Sequence, residues 1–177
     1  MDSIKPHPTT AVQSSVHWRG AQIPLGILLV PPITSIVSRK SDQIAQRIER
    51  FRGGGMPAHY LGYFDCFNRQ LFYEAHDVLE ELWLGDRRGP DGDFYKGLIQ
   101  LAGAFVHVQK NRPRPATALL RLARANLDKY PAVHHDLDTA SVLALIQEWH
   151  QRLQGMPSTT GLFEKVKPPT ILLRGQA

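Results

Sequence analysis

His76 and Glu80 stand one helical turn apart in the run Phe72-Tyr73-Glu74-Ala75-His76-Asp77-Val78-Leu79-Glu80-Glu81-Leu82-Trp83. Side chains at i and i+4 are neighbours on a helix surface, and an imidazole beside a carboxylate suits two kinds of chemistry. The pair can act as acid and base on a small molecule. It can also give two ligands to a metal whose remaining ligands come from elsewhere, for instance His107, His134 or His135. A third reading needs no ligand: Glu80 bonds His76 and the Gln100 amide, and the trio sets helix register. Among functional readings the small-molecule pocket leads, hydrolytic or metal-assisted, with His76 and Glu80 as the working pair. Gln100 orients the ligand, while Tyr73, Trp83, Gly97 and His107 line the pocket. The rival class is a non-enzymatic structural or adaptor bundle holding the same residues in a hydrogen-bond network, so the residues leave open whether a reaction is catalysed.

The helix that positions the pair is strongly patterned. At about 100° per residue, Phe72, Ala75, Val78, Leu79, Leu82 and Trp83 share one apolar arc, with His76 and Glu80 next to it. Glu74, Asp77 and Glu81 form the stripe expected to face solvent. Glu80 thus sits in a wide hydrophobic surface, where a carboxylate needs a bonding partner. The loop Gly85-Asp86-Arg87-Arg88-Gly89-Pro90-Asp91-Gly92 leads to a second helix, 94–110, apolar nearly all round, with Asp91 or Asp93 as its cap. Short loops make antiparallel neighbours, so residues whose numbers sum to about 178 face each other. This sets Gln100 between His76 and Glu80, with His107 about two turns further along. The small residues Gly97, Gly103 and Ala104 admit a close backbone or a ligand.

No metal is identified by these spacings. HxxxE supplies two ligands, HExxH is absent, and the paired Glu-x-x-His of diiron bundles is missing from these helices.

Other helices follow from apolar spacing. Ile44, Ile48 and Phe51 place one from Ser41, its N-cap, to the Gly53-Gly54-Gly55 stop. Tyr60, Phe64, Phe67 and Leu71 place an aromatic helix with a break near Asn68-Arg69-Gln70. Leu119, Leu122, Ala123, Leu127 and Tyr130 place another, opened by Pro115, and Val142, Leu145, Ile146, Trp149 and Leu153 the last. The expected fold is all-α: a bundle of about five or six helices over 41–154, with an irregular extension at 1–40 and a tail at 155–177.

With 177 residues, 42% hydrophobic and 21% charged, the chain suits one ordinary core. Cys66, the single cysteine, is read as a core residue in a reducing, cytoplasmic setting. The net charge of +5 is uneven: residues 57–110 carry 5 basic and 8 acidic side chains, residues 111–177 carry 9 and 5. Lys110, Arg112, Arg114, Arg121, Arg124 and Lys129 could grip phosphates. Without a helix-turn-helix pattern, nucleic acid is not the expected partner. Self-association through exposed helix faces suits either reading. No apolar run is long enough to span a bilayer, and the GxGxxG, GxxxxGK[ST] and GxSxG motifs are absent.

Phe67-Asn68, Tyr73-Glu74-Ala75-His76, Leu79-Glu80-Glu81-Leu82-Trp83 and Phe94-Tyr95-x-Gly97-Leu98-Ile99-Gln100 together resemble the domain-of-unknown-function family 309, over about residues 58–153. The resemblance implies a compact helical bundle with His76, Glu80, Trp83, Gly97 and Gln100 on signature positions, and no established reaction. His134-His135-Asp136-Leu137-Asp138 departs from it, standing where the family pattern calls for a glycine-containing turn.

Overall fold

Apolar periodicity translates into helices almost throughout the computed structural model, which describes residues 33–175, with side chains from Lys40 onward. Among the described residues these are α1 (Ile33–Ile48), α2 (Ala58–Asn68), α3 (Phe72–Gly85), α4 (Gly92–Gln109), α5 (Pro113–Leu127), α6 (Thr139–Leu153) and the short α7 (Leu162–Lys165). A single 3-10 turn, Glu49–Phe51, extends α1. Two-residue strands β1 (Val133–His134) and β2 (Leu137–Asp138) pair antiparallel between α5 and α6. The fold is the all-α bundle expected, with one helix more. A four-residue helix such as α7 is too short to show a period.

The central element is α4, buried on almost every side, as its near-continuous apolar sequence requires. Phe72, Ala75, Val78 and Leu79 turn the apolar arc of α3 inward, all at 0% exposure. Aromatic rings tie the helices together edge to face. Phe67 meets Phe72 at 5.0 Å between centroids, and Phe105 meets Trp149 at 5.0 Å, joining α2 to α3 and α4 to α6. Such pairs add roughly 0.5–1.5 kcal/mol each beyond the area they bury. Buried Tyr63 satisfies its hydroxyl by donating to the Leu98 carbonyl at 2.8 Å. Cys66 is a core residue, as read.

Three boundaries differ from expectation. The first helix starts at Ile33, because nothing after Pro32 interrupts it. Ser41 therefore lies inside α1 and not at its cap. The part of the expected extension before residue 33 lies outside the described residues. α5 opens at Pro113, two residues before Pro115; either proline suits a first turn, where its missing N–H costs nothing. Finally, much of the expected C-terminal tail is packed. Leu162, Ile171 and Leu173 are buried, Leu173 bridges to Leu137, and the Asn68 amide reads the Ile171 backbone with two hydrogen bonds of 2.7 and 2.8 Å. A segment held by a distant amide carries no helical period, so pattern alone gives no sign of it.

α1 reaches the site region through a glycine on α2. A Cβ on Gly62 would stand 2.8 Å from Ile48 Cγ2 and 3.2 Å from Val78 Cγ1. Its absence lets Ile48 seat between α2 and α3, which brings the polar side of α1 over α3.

Candidate functional site

His76, Asp77 and Glu80 occupy positions i, i+1 and i+4 of α3, a sector of about 100°. One ligand-capable atom from each lies within 4.8 Å of the others. A fourth group stands among them. Lys40 of α1 places its Nζ 3.1 Å from Asp77 Oδ1 and 3.3 Å from Glu80 Oε2. His76 Nδ1 donates to the same Asp77 oxygen at 3.1 Å. Burial works against the Lys40 ammonium, but hydrogen bonds and charge from Asp77 and then Glu80 outweigh it and raise the lysine pKa.

Asp77 corrects the sequence reading. The stripe expected to face solvent is covered by α1, so the Asp77 side chain is only 13% exposed. Its neighbours on the stripe are met as well: Ser41 Oγ donates to Glu81 at 3.0 Å, and Arg47 pairs with Glu74 at 3.5 Å. A wheel identifies the polar face of a helix but not the element that will lie over it. Glu80 has the partner its setting demands, and that partner is Lys40.

Gln100 does not join this group. Its Oε1 accepts from Asn126 Nδ2 at 2.8 Å, across the α4–α5 interface. The antiparallel register fixes height along a helix pair and says nothing of rotation about the axis. Gly97 faces α5 likewise: a Cβ there would lie 2.8 Å from Leu127 Cγ and 3.3 Å from the Ala123 carbonyl, so close helix packing fills the space. The glycine nearest the site is Gly103, whose Cβ position is 3.9 Å from His76 Cδ2.

The remaining residues expected at the pocket scatter around it. Tyr73 is 58% exposed and lies under the Lys110 ammonium, 5.8 Å from the ring centroid. Trp83 stacks below Arg87, and its buried Nε1 has no partner among the described residues. His107 has a buried Nδ1 with no partner among the described residues; burial, and then Arg112 and Lys110, push its pKa below the usual histidine value. A cleft of about 260 Å³ lies between α1 and α3, lined by Lys40, Arg47, Tyr73, Glu74 and Asp77 among others, and Asp77 is the one member of the trio that reaches it.

A protein-family comparison matches residues 60–126, from the first turn of α2 to the end of α5, to the family described as Domain of unknown function (DUF309). Over these residues the chain is similar to the DUF309 family. No curated protein and no solved structure matches the chain. His76, Asp77 and Glu80 belong to the DUF309 match, whereas Lys40 does not.

A second cluster straddles the edge of the DUF309 match. His134 Nε2 approaches Asp91 Oδ1 at 2.7 Å, and His135 Nε2 approaches Asp91 Oδ2 at 2.9 Å. Burial pushes the Asp91 carboxyl up, but the hydrogen bonds from both imidazoles outweigh it and hold the group below the ordinary carboxylate value. Of the two candidate caps, Asp91 or Asp93, Asp91 occupies the N-cap position of α4, but its side chain makes no capping hydrogen bond and holds the two rings instead. Lys129, two residues beyond α5, pairs with Asp93 at 2.6 Å. Arg112, Arg114 and Arg121 border a surface groove of about 1020 Å³ that also includes His150. No helix among the described residues is long and apolar enough to cross a membrane.

Proposed function

We propose that the α3 trio binds a divalent cation and that the adjoining α1–α3 cleft holds a small polar substrate for metal-assisted hydrolysis. One observation carries the reading: the donor atoms of His76, Asp77 and Glu80 converge within 4.8 Å, and a cation, the Lys40 ammonium, already lies against two of them. One imidazole with two carboxylates is a donor set for Mn²⁺ or Zn²⁺. His76, Asp77 and Glu80 would hold the metal, which would supply Lewis-acid polarisation of a scissile carbonyl or phosphoryl oxygen and a more acidic bound water. Lys40 and Arg47 line the cleft and would offer positive charge to an anionic substrate group. Gln100 has no part in this arrangement.

The Lys40 contact also favours a second, non-enzymatic reading, in which the ammonium latches α1 onto α3 and no ligand enters. The variant Glu80→Gln separates the two. It keeps side-chain shape and removes one half-exposed ion pair, which costs roughly 0.2–1 kcal/mol. Under the cation reading, calorimetric titration with Mn²⁺ loses one equivalent of binding in Glu80→Gln while melting barely changes. Equal stoichiometry in wild type and variant would sink that reading and leave the latch.

A further inference from the structure

We propose that Asp91, His134 and His135 form a second metal site, for a late first-row divalent cation such as Zn²⁺, at the loop end of the α3–α4 hairpin. The three donors come from two segments more than 40 residues apart, and both imidazoles direct Nε2 at one carboxylate, at 2.7 and 2.9 Å. Neighbouring donors on zinc, at bond lengths of about 2.0–2.2 Å, stand about 3.0–3.4 Å apart for angles between 90° and tetrahedral. Both Nε2–carboxylate distances fall only a few tenths of an ångström short of that spacing. A cation seated there takes the Nε2 lone pairs of the neutral imidazoles, each ring proton moving to Nδ1, together with an Asp91 oxygen.

The backbone builds this convergence. β1 and β2 are joined by the two-residue turn His135-Asp136, with φ of 48° and 56°. Two successive left-handed residues make the tight hairpin turn for which glycine or asparagine is the usual choice. Here histidine fills the first position, and its ring lies 4.3 Å from that of His134. The hairpin is held on both sides. Tyr60 donates to the His135 carbonyl at 3.0 Å, and the Arg174 amide donates to the Asp136 carbonyl at 2.8 Å. Phe94 packs edge-on against His134 at 4.7 Å, and Tyr95 lies parallel to His135 at 6.3 Å. Such packing prearranges the rings before any ion arrives. The site is also accessible: the His135 side chain is 40% exposed, leaving room for water or a substrate atom at the remaining coordination positions.

The test uses the full chain carrying Asp77→Asn and Glu80→Gln, which removes the α3 carboxylates, so failure of the α3 reading leaves this one intact. Calorimetric titration with Zn²⁺ is expected to find one equivalent, weakened roughly tenfold or more by adding Asp91→Asn or His135→Gln. Absence of binding overturns the proposal. So does undiminished binding in the Asp91→Asn protein, which keeps both histidines and so reports a loose imidazole pair. If Asp91→Asn fails to fold by circular dichroism, pulsed electron paramagnetic resonance with Cu²⁺ on the two-substitution background decides. Two coordinated imidazole nitrogens are expected; one or none refutes the site.

Discussion

Replacing Lys40 by methionine should weaken the fold and strengthen metal binding, two effects of opposite sign from one charge. Methionine keeps most of the stem length and removes the ammonium, which holds Asp77 at 3.1 Å and Glu80 at 3.3 Å. The lysine side chain is 45% exposed, so each pair belongs to the solvent-screened class worth about 0.2–1 kcal/mol. Together they contribute about 0.5–2 kcal/mol, and a domain of this size melts about 2–4 °C lower per kcal/mol lost. Melting should therefore fall by about 1–8 °C. A divalent cation entering the wild-type site must first break those same contacts. Without the lysine that cost disappears, and at about 1.4 kcal/mol per tenfold the affinity for Mn²⁺ should rise about 2- to 30-fold. Lys40→Arg, which keeps the charge, should leave affinity close to wild type. Isothermal titration at fixed ionic strength is the assay, because salt screens half-exposed pairs. Unchanged or weaker Mn²⁺ binding in a folded Lys40→Met protein would refute the argument that the ammonium and a metal compete.

Two of the three glycines of α4, Gly97 and Gly103, should respond oppositely to alanine. In Gly97→Ala the new methyl meets the branch carbon of fully buried Leu127 at 2.8 Å and the Ala123 carbonyl at 3.3 Å. Overpacking of about 1–3 kcal/mol then exceeds the helix-propensity gain of about 0.5–1 kcal/mol. Gly103→Ala meets only Leu119 Cδ1 at 3.3 Å and His76 at 3.9 Å, so the propensity gain should prevail and thermal melting should rise slightly. For His107, the lowered folded pKa means that the unfolded chain takes up a proton first as pH falls. Stability is complete above the unfolded value of 6.5 and declines as pH drops through 6.5 toward the folded pKa. Denaturant titrations between pH 7.5 and 5 should therefore show a shallower decline in His107→Gln than in wild type; identical slopes would rule out this origin.

What sequence alone determined is whatever repeats along one helix. The apolar spacing of Phe72, Ala75, Val78 and Leu79 settles which side of α3 is buried, and the same reasoning located α2, α4 and α6 to within a few residues. It also singled out His76 and Glu80, because i,i+4 adjacency is a local property. Tertiary structure alone decided who meets them. Lys40 and Asp77 are 37 positions apart, and neither residue type nor spacing links them; the contact exists because Gly62 lets Ile48, and with it α1, come down between α2 and α3. Gln100 faces Asn126 and not the trio, since its rotation depends on how α4 packs against α5. The joining of Asp91 to His134 and His135 needed the hairpin turn and the C-terminal segment that braces it. Periodicity records how a segment turns about its own axis. A polar site made between segments depends on where those axes lie, and only the packed core sets that.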